Sequence, residues 1–272
     1  LRHNIKFSNS DLPDPVAAPD YIPKYVQTLI EKYAYLKNPW KGEILDIAKQ
    51  LDTSVSRITR LQLNYELFGG GCTSSAICRN GIYDVLRVLE WPLSNKLLQH
   101  TKWKSIGKSS SIKYIPGYTG LLTGKSGKVR IMMNMAADAF MTYNPLGTPI
   151  TWTLRKLVES NSWETLDEAI ADIEKAPKAI IGAWLLVVSE DEAAWIAFNP
   201  NKPHEVLKRV SAKKEQNLTI QNSWEYSQEA ESIIKNWFNK DIDSLLKRDY
   251  ISMNEMPEGI RHLGLATDVT VY

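Results

Sequence analysis

Tyr65-Glu-Leu-Phe-Gly-Gly-Gly-Cys72-Thr-Ser-Ser-Ala-Ile-Cys78 sets the architecture of this chain. Three consecutive glycines end whatever regular structure precedes them. Cys72 then opens a short β-prone run that closes at Arg79-Asn80-Gly81, and Ile82-Tyr-Asp-Val-Leu-Arg-Val-Leu-Glu90-Trp follows. An asparagine–glycine pair between two such runs predicts a β-hairpin. A cysteine at the first position of a strand, directly after glycines, sits where backbone is accessible and side chains are few, which suits a nucleophile. The plainer reading is a small buried hydrophobe, the usual state of a free cysteine.

Upstream, Asp11-Leu-Pro-Asp-Pro, Pro19 and Pro23 predict an extended entry arm over residues 1–24. Val26, Leu29, Ile30 and Tyr33 recur at helical spacing from Tyr25 to Leu36. A second helix is expected from Gly42 to Leu51, and a third over Val55–Leu67 with its cap in Thr53-Ser-Val-Ser. Downstream, Trp152 to Val158 and Leu166-Asp-Glu-Ala-Ile-Ala-Asp-Ile-Glu carry helical periodicity. Residues 179–188 and 193–198 read as paired strands around Glu190-Asp-Glu, and Ser232 to Phe238 begins another helix.

The composition fits an ordinary globular protein. A hydrophobic fraction of 43% over 272 residues is enough for a sizeable core. A net charge of +2 gives no reason to expect a nucleic-acid partner, and no recognition motif appears. Cys72 and Cys78 could form at most one bridge. His3, His100, His204 and His262 are not spaced as metal ligands and lie away from Cys72 in sequence, so no metal site and no cofactor is expected.

Tyr65-Glu-Leu before the glycines and Cys72-Thr-Ser after them resemble the self-cleavage segment of the acid ceramidase and N-acylethanolamine acid amidase family, cysteine N-terminal nucleophile hydrolases of choloylglycine hydrolase-like type. The resemblance continues in Gly42-Glu-Ile, in Ile82-Tyr83 with Arg87-Val-Leu-Glu90-Trp-Pro, in Gly117-Tyr-Thr-Gly-Leu-Leu-Thr-Gly124, and in Asp268-Val-Thr-Val-Tyr. Val206 to Tyr226 places Asn222 on the family's oxyanion asparagine.

The resemblance implies an α+β fold, an αββα four-layer sandwich. Residues 1–71 would form an N-terminal helical segment and residues 72–272 the hydrolase domain, divided by autoproteolysis at Gly71–Cys72. It implies an amidase acting on linear fatty-acyl amides, in which the Cys72 thiolate attacks the carbonyl and the freed α-amine, of unperturbed pKa about 8, moves the proton. Arg87 and Glu90 would orient that nucleophile, and Asn222 would donate to the oxyanion. A lysosomal or secreted setting is also implied. The glycosylation triplet Asn217-Leu-Thr adds little to it, and a bacterial or cytoplasmic protein fits the two cysteines as well.

The chain departs from the family at several places. Glu90 stands where the family has Asp, and Gln221 where it has Thr. Asn134-Met135-Ala136 replaces Asn-Glu-Arg, and Ser227-Gln-Glu-Ala-Glu-Ser-Ile-Ile carries no counterpart of Asp-Asp-Arg-Arg. These losses keep open a second reading, a catalytically impaired relative that binds lipid or a protein partner.

Between Trp91 and Ala137 there is no acid. Lys102, Trp103, Lys104 and Lys108, with Leu97, Leu98 and Ile106 nearby, would suit an anionic membrane surface if they share a face. A solvated loop set with charges balanced elsewhere fits them equally well.

Overall fold

The computed structural model describes residues 5–6, 8–12, 24–64, 71–90, 97, 100–136, 144–222 and 268–271. Helices α1 (Lys24–Lys37), α2 (Lys41–Gln50) and α3 (Val55–Gln62) come first. Ser54 caps α3 by accepting a hydrogen bond from the Arg57 amide, as the Thr53-Ser-Val-Ser signal predicts. The helix ends at Gln62, short of the expected Leu67, and residues 65–70 lie outside the described residues.

Strands β1 (Gly71–Arg79) and β2 (Ile82–Glu90) form the predicted hairpin. Asn80 and Gly81 have φ of 53° and 80°, the two consecutive positive values that match the twist of a two-residue hairpin. The pair is in register from Gly71–Glu90 to Arg79–Ile82. Strand β10 (Leu218–Ile220) adds to β1 and β11 (Asp268–Val271) to β2, giving a small antiparallel sheet in the order β10-β1-β2-β11.

A seven-stranded sheet runs in sequence order through β3 (Lys102–Ser105), β4 (Ser110–Tyr114), β5 (Thr123–Ser126), β6 (Val129–Met135), β7 (Ala183–Val188), β8 (Glu192–Phe198) and β9 (Glu205–Ser211). Between β6 and β7 lie α4 (Ile150–Ser160) and α5 (Leu166–Glu174), the latter opened by a Thr165–Glu168 capping box. The β7 strand begins four residues later than expected, because Ala179 is held instead by a parallel bridge to Thr148. The expected helix at Ser232–Phe238 lies outside the described residues.

Side-chain alternation along the strands explains the layering. Ala76 and Val85 of the small sheet meet Met132, Leu186, Val188, Ala193 and Trp195 of the large one in a shared apolar layer. The neighbouring positions Ile131, Met133, Leu185, Val187, Ala194 and Ile196 face the other way. There α4 covers β4 and β5, and α5 covers β7 and β8. Ile44 and Ile47 of α2, and Ile58 and Leu61 of α3, join the same outer core. The architecture is α+β, two facing antiparallel sheets with helices on the outer side of the larger. On the far side of the small sheet, Ile77, Leu86 and Val88 are also buried.

Cys72 and Cys78 both lie on β1, and neither forms a disulfide. Six residues of extended strand separate them by roughly 20 Å, well beyond the reach of a disulfide.

Candidate functional site

Cys72 sits in the second position of β1, only 1% exposed, facing the layer between the sheets. Its register partner on β2 is Leu89, and Ser74 is paired with Arg87. Residues opposite each other in antiparallel strands share a face, so Arg87 projects beside Cys72. One guanidinium nitrogen, Nη2, donates to Cys72 Sγ at 3.1 Å and to the Met133 carbonyl at 2.5 Å. The other, Nη1, donates to Ser74 Oγ at 2.8 Å and to Asn134 Oδ1. A guanidinium against sulfur favours the thiolate.

Asn134 ties the two sheets together. Its Oδ1 accepts from Arg87 and from Ser74 Oγ, while Nδ2 donates to the carbonyls of Cys72 at 3.1 Å and Ile220 at 2.8 Å. Both Asn134 and Arg87 are buried. In an interior where unpaired polar groups are costly, the four contacts made by Nη1 and Nη2 fix the Arg87 head.

Asn222 follows β10, on the opposite side of Cys72 from β2. Its Oδ1 accepts from the Cys72 backbone nitrogen at 2.7 Å, and its Nδ2 donates to the Met135 carbonyl at 2.7 Å. Sulfur and nitrogen of one residue are thus held from two sides by separate partners. Gln221, beside Asn222, donates to Thr73 Oγ1.

Of the expected site residues, the structure brings Cys72, Arg87 and Asn222 together. Glu90 is the register partner of Gly71, which sets its backbone directly across from the predicted junction. Asn134 and Ser74 had not been singled out. Their signal is an uncharged polar residue at an inward strand position, as Asn134 between Met133 and Met135.

The basic stretch is divided between surfaces. Lys102 and Lys104 share one side of the edge strand β3, and Trp103 takes the other. Lys104 lies over the Tyr114 ring at 4.1 Å, and burial, followed by repulsion from Lys102, pulls its pKa down. Lys108 is exposed in the β3–β4 turn, whereas Lys113 and Leu97 are buried. Lys102, Trp103, Lys104 and Lys108 therefore do not share one face. Asn217 of the glycosylation triplet has its side-chain oxygen bonded to the Cys78 amide at 2.8 Å, a structural tie between β1 and the start of β10. His204 accepts from the Asn199 amide and bonds the Ala176 carbonyl.

The overall fold has a likeness among solved structures. The fold resembles that of a nematode acid amidase. Superposition on the Caenorhabditis elegans N-acylethanolamine-hydrolyzing acid amidase ortholog gives a TM-score of 0.52 at 16% sequence identity, covering 74% of this chain and 92% of that one. That protein is an amide hydrolase by name, and the likeness at this identity is one of fold. No family model and no curated protein matches the sequence.

Proposed function

We propose that this protein is a cysteine-nucleophile amide hydrolase that cleaves fatty-acyl amides after scission of the Gly71–Cys72 bond. The observation that carries it is the double grip on Cys72, with Arg87 on Sγ and Asn222 on the nitrogen. The likeness of fold to an amide hydrolase supports it.

In this mechanism scission turns the Cys72 amide nitrogen into an α-amine that Asn222 Oδ1 already holds. The amine takes the thiol proton while Arg87 stabilises the thiolate. Sulfur attacks the amide carbonyl, and charge gathers on its oxygen. Asn222 Nδ2, which donates to the Met135 carbonyl in the resting chain, serves as the oxyanion donor. Collapse breaks the C–N bond, the α-amine returns its proton to the leaving nitrogen, and a thioester remains. Water, deprotonated by the same amine, releases the acid. Glu90, across from Gly71, belongs to this machinery through the junction strand pair.

The same reading divides the chain into residues 1–71, an N-terminal helical segment, and 72–272, the hydrolase domain. It also makes the architecture a four-layer αββα sandwich. The burial of Ile77, Leu86 and Val88 on the outer face of the small sheet supports a covering layer there.

Exposed Lys102 and Lys108 would carry any contact with an anionic lipid surface. Sedimentation with anionic vesicles, lost in a Lys102→Glu/Lys108→Glu variant, supports that contact; equal sedimentation of variant and wild type rejects it.

The test of the hydrolase is turnover of a fluorogenic palmitoyl amide with trapping of the thioester. Wild type should release the amine and carry a palmitoyl mass on the fragment that begins at Cys72, and Cys72→Ala should do neither. Equal hydrolysis by Cys72→Ala would refute the assignment and leave the non-catalytic binding reading.

A further inference from the structure

We propose that the inner face of β7, β8 and β9 is the subsite for the leaving-amine half of the substrate, and that it selects amines with an apolar or aromatic body. This inference rests on the amidase reading above.

The register defines the surface. Asn134 pairs with Trp184, Trp184 with Ala197, and Ala197 with Glu205. Antiparallel partners project to the same side, so the four form one row across four adjacent strands. At about 4.8 Å per strand the row runs roughly 14 Å from the residue that holds Cys72 and Arg87 out to the sheet edge. An open cleft of about 380 Å³ lies at its outer part. Ala136, Trp184, Ala197 and Leu207 give it an apolar lining, and Lys202 and Glu205 stand among its polar residues. That volume is within the range of small-molecule sites, which are mostly apolar with a few polar groups. Small residues at 136 and 197 line the hollow together with Trp184.

Geometry assigns the half of the substrate. Arg87 grips Cys72 Sγ from the β2 side, while Asn222 grips Cys72 N from the β10 side. Strand β10 lies over β8, and β1 over β6 and β7. The proton donor to the leaving nitrogen is therefore displaced from sulfur toward β8, and the leaving group lies on that side. Asn222 also bonds Met135, next to Ala136 of the cleft. An amine half directed this way meets Trp184 and Ala197.

The experiment compares palmitoyl amides that differ only in the amine, tryptamine against ethanolamine. Wild type should favour the tryptamide by at least about tenfold in kcat/KM, the scale on which an apolar pocket discriminates. Ala197→Phe, which fills the hollow, and Leu207→Asp, a change at a more exposed position, should each reduce that ratio toward one, with the loss falling on kcat/KM for the tryptamide. Calorimetry with free tryptamine should show binding to wild type and at least tenfold weaker binding to Ala197→Phe. Hydrolysis of both amides without preference would overturn the subsite while leaving the amidase intact. Absence of any acyl adduct would overturn the amidase reading, and tryptamine binding would then decide whether the cleft is a ligand site at all. Tryptamine binding unaffected by both substitutions rejects it.

Discussion

Replacing Glu43 by Gln should loosen the N-terminal helices from the body of the protein, and the size of the effect can be worked from the contacts. Arg155 of α4 is 1% exposed and Glu43 of α2 is 12% exposed by side chain. Their contact is bidentate, Nη1 to Oε2 at 2.8 Å and Nη2 to Oε1 at 2.6 Å. The same guanidinium donates to Glu159 at 2.7 Å and to the Thr119 carbonyl at 2.7 Å, and it lies 4.3 Å over the Trp40 ring. Removing one partner of a buried pair costs about 3–5 kcal/mol, because the other charge stays buried. Glu159 still compensates Arg155 in part, so about 3 kcal/mol is expected. In a chain of this size that lowers Tm by roughly 6–12 °C. Thermal unfolding of Glu43→Gln, Arg155→Met and the double variant measures both the cost and the coupling. The double variant should be less destabilised than the two single costs combined, since it leaves neither charge of the buried pair and only the partly exposed Glu159 loses its partner. A Tm change below about 2 °C in Glu43→Gln, or strict additivity, refutes the argument that this pair clamps α2 to α4.

Asn134→Ala leaves Arg87 Nη1 with Ser74 Oγ but without its second acceptor, and takes the side-chain donor from the Cys72 and Ile220 carbonyls. Each buried orphan costs about 1–3 kcal/mol, so a loss of about 3 kcal/mol in denaturant unfolding is expected, together with lower amidase turnover; unchanged stability would show that Asn134 is not the tie between the sheets. His204, stacked on Phe198 at 3.7 Å, has its pKa lowered by burial. The unfolded chain then binds the proton more readily, so the contribution of the neutral ring is complete above pH 6.5 and falls away as pH drops toward the lowered value. The Tm difference between pH 7.5 and pH 5.5 should shrink in His204→Gln, and an unchanged difference would place the acid sensitivity elsewhere.

Local chemistry made the hairpin legible. Asn80-Gly81 fixes the turn, and the turn fixes the register that sets Arg87 on the same face as Cys72. The capped helices were legible for similar reasons, with ends displaced where neighbours intervene, as at Gln62.

The Gly117–Gly124 motif was visible as a pattern, but its purpose needed the fold. Gly117 has φ of 80°, and a Cβ on Gly120 would come within 2.7 Å of Thr151. Gln62 of α3 donates to the Gly117 carbonyl and accepts from the Thr119 amide, a contact across 57 residues that no local pattern encodes. Asn134 was equally hidden, because its importance comes from strands 47 to 86 residues away. For the basic run the sequence left open whether its residues share a face, and strand alternation sets Trp103 opposite Lys102 and Lys104.

The most direct test of the central claim is the intact mass of the purified full chain, held at acidic and at neutral pH. The account predicts two fragments whose masses place the break at Gly71–Cys72, and a single uncleaved species when Cys72 is replaced by Ala. A chain that stays whole at that bond under both conditions, while still hydrolysing a fatty-acyl amide, would contradict it.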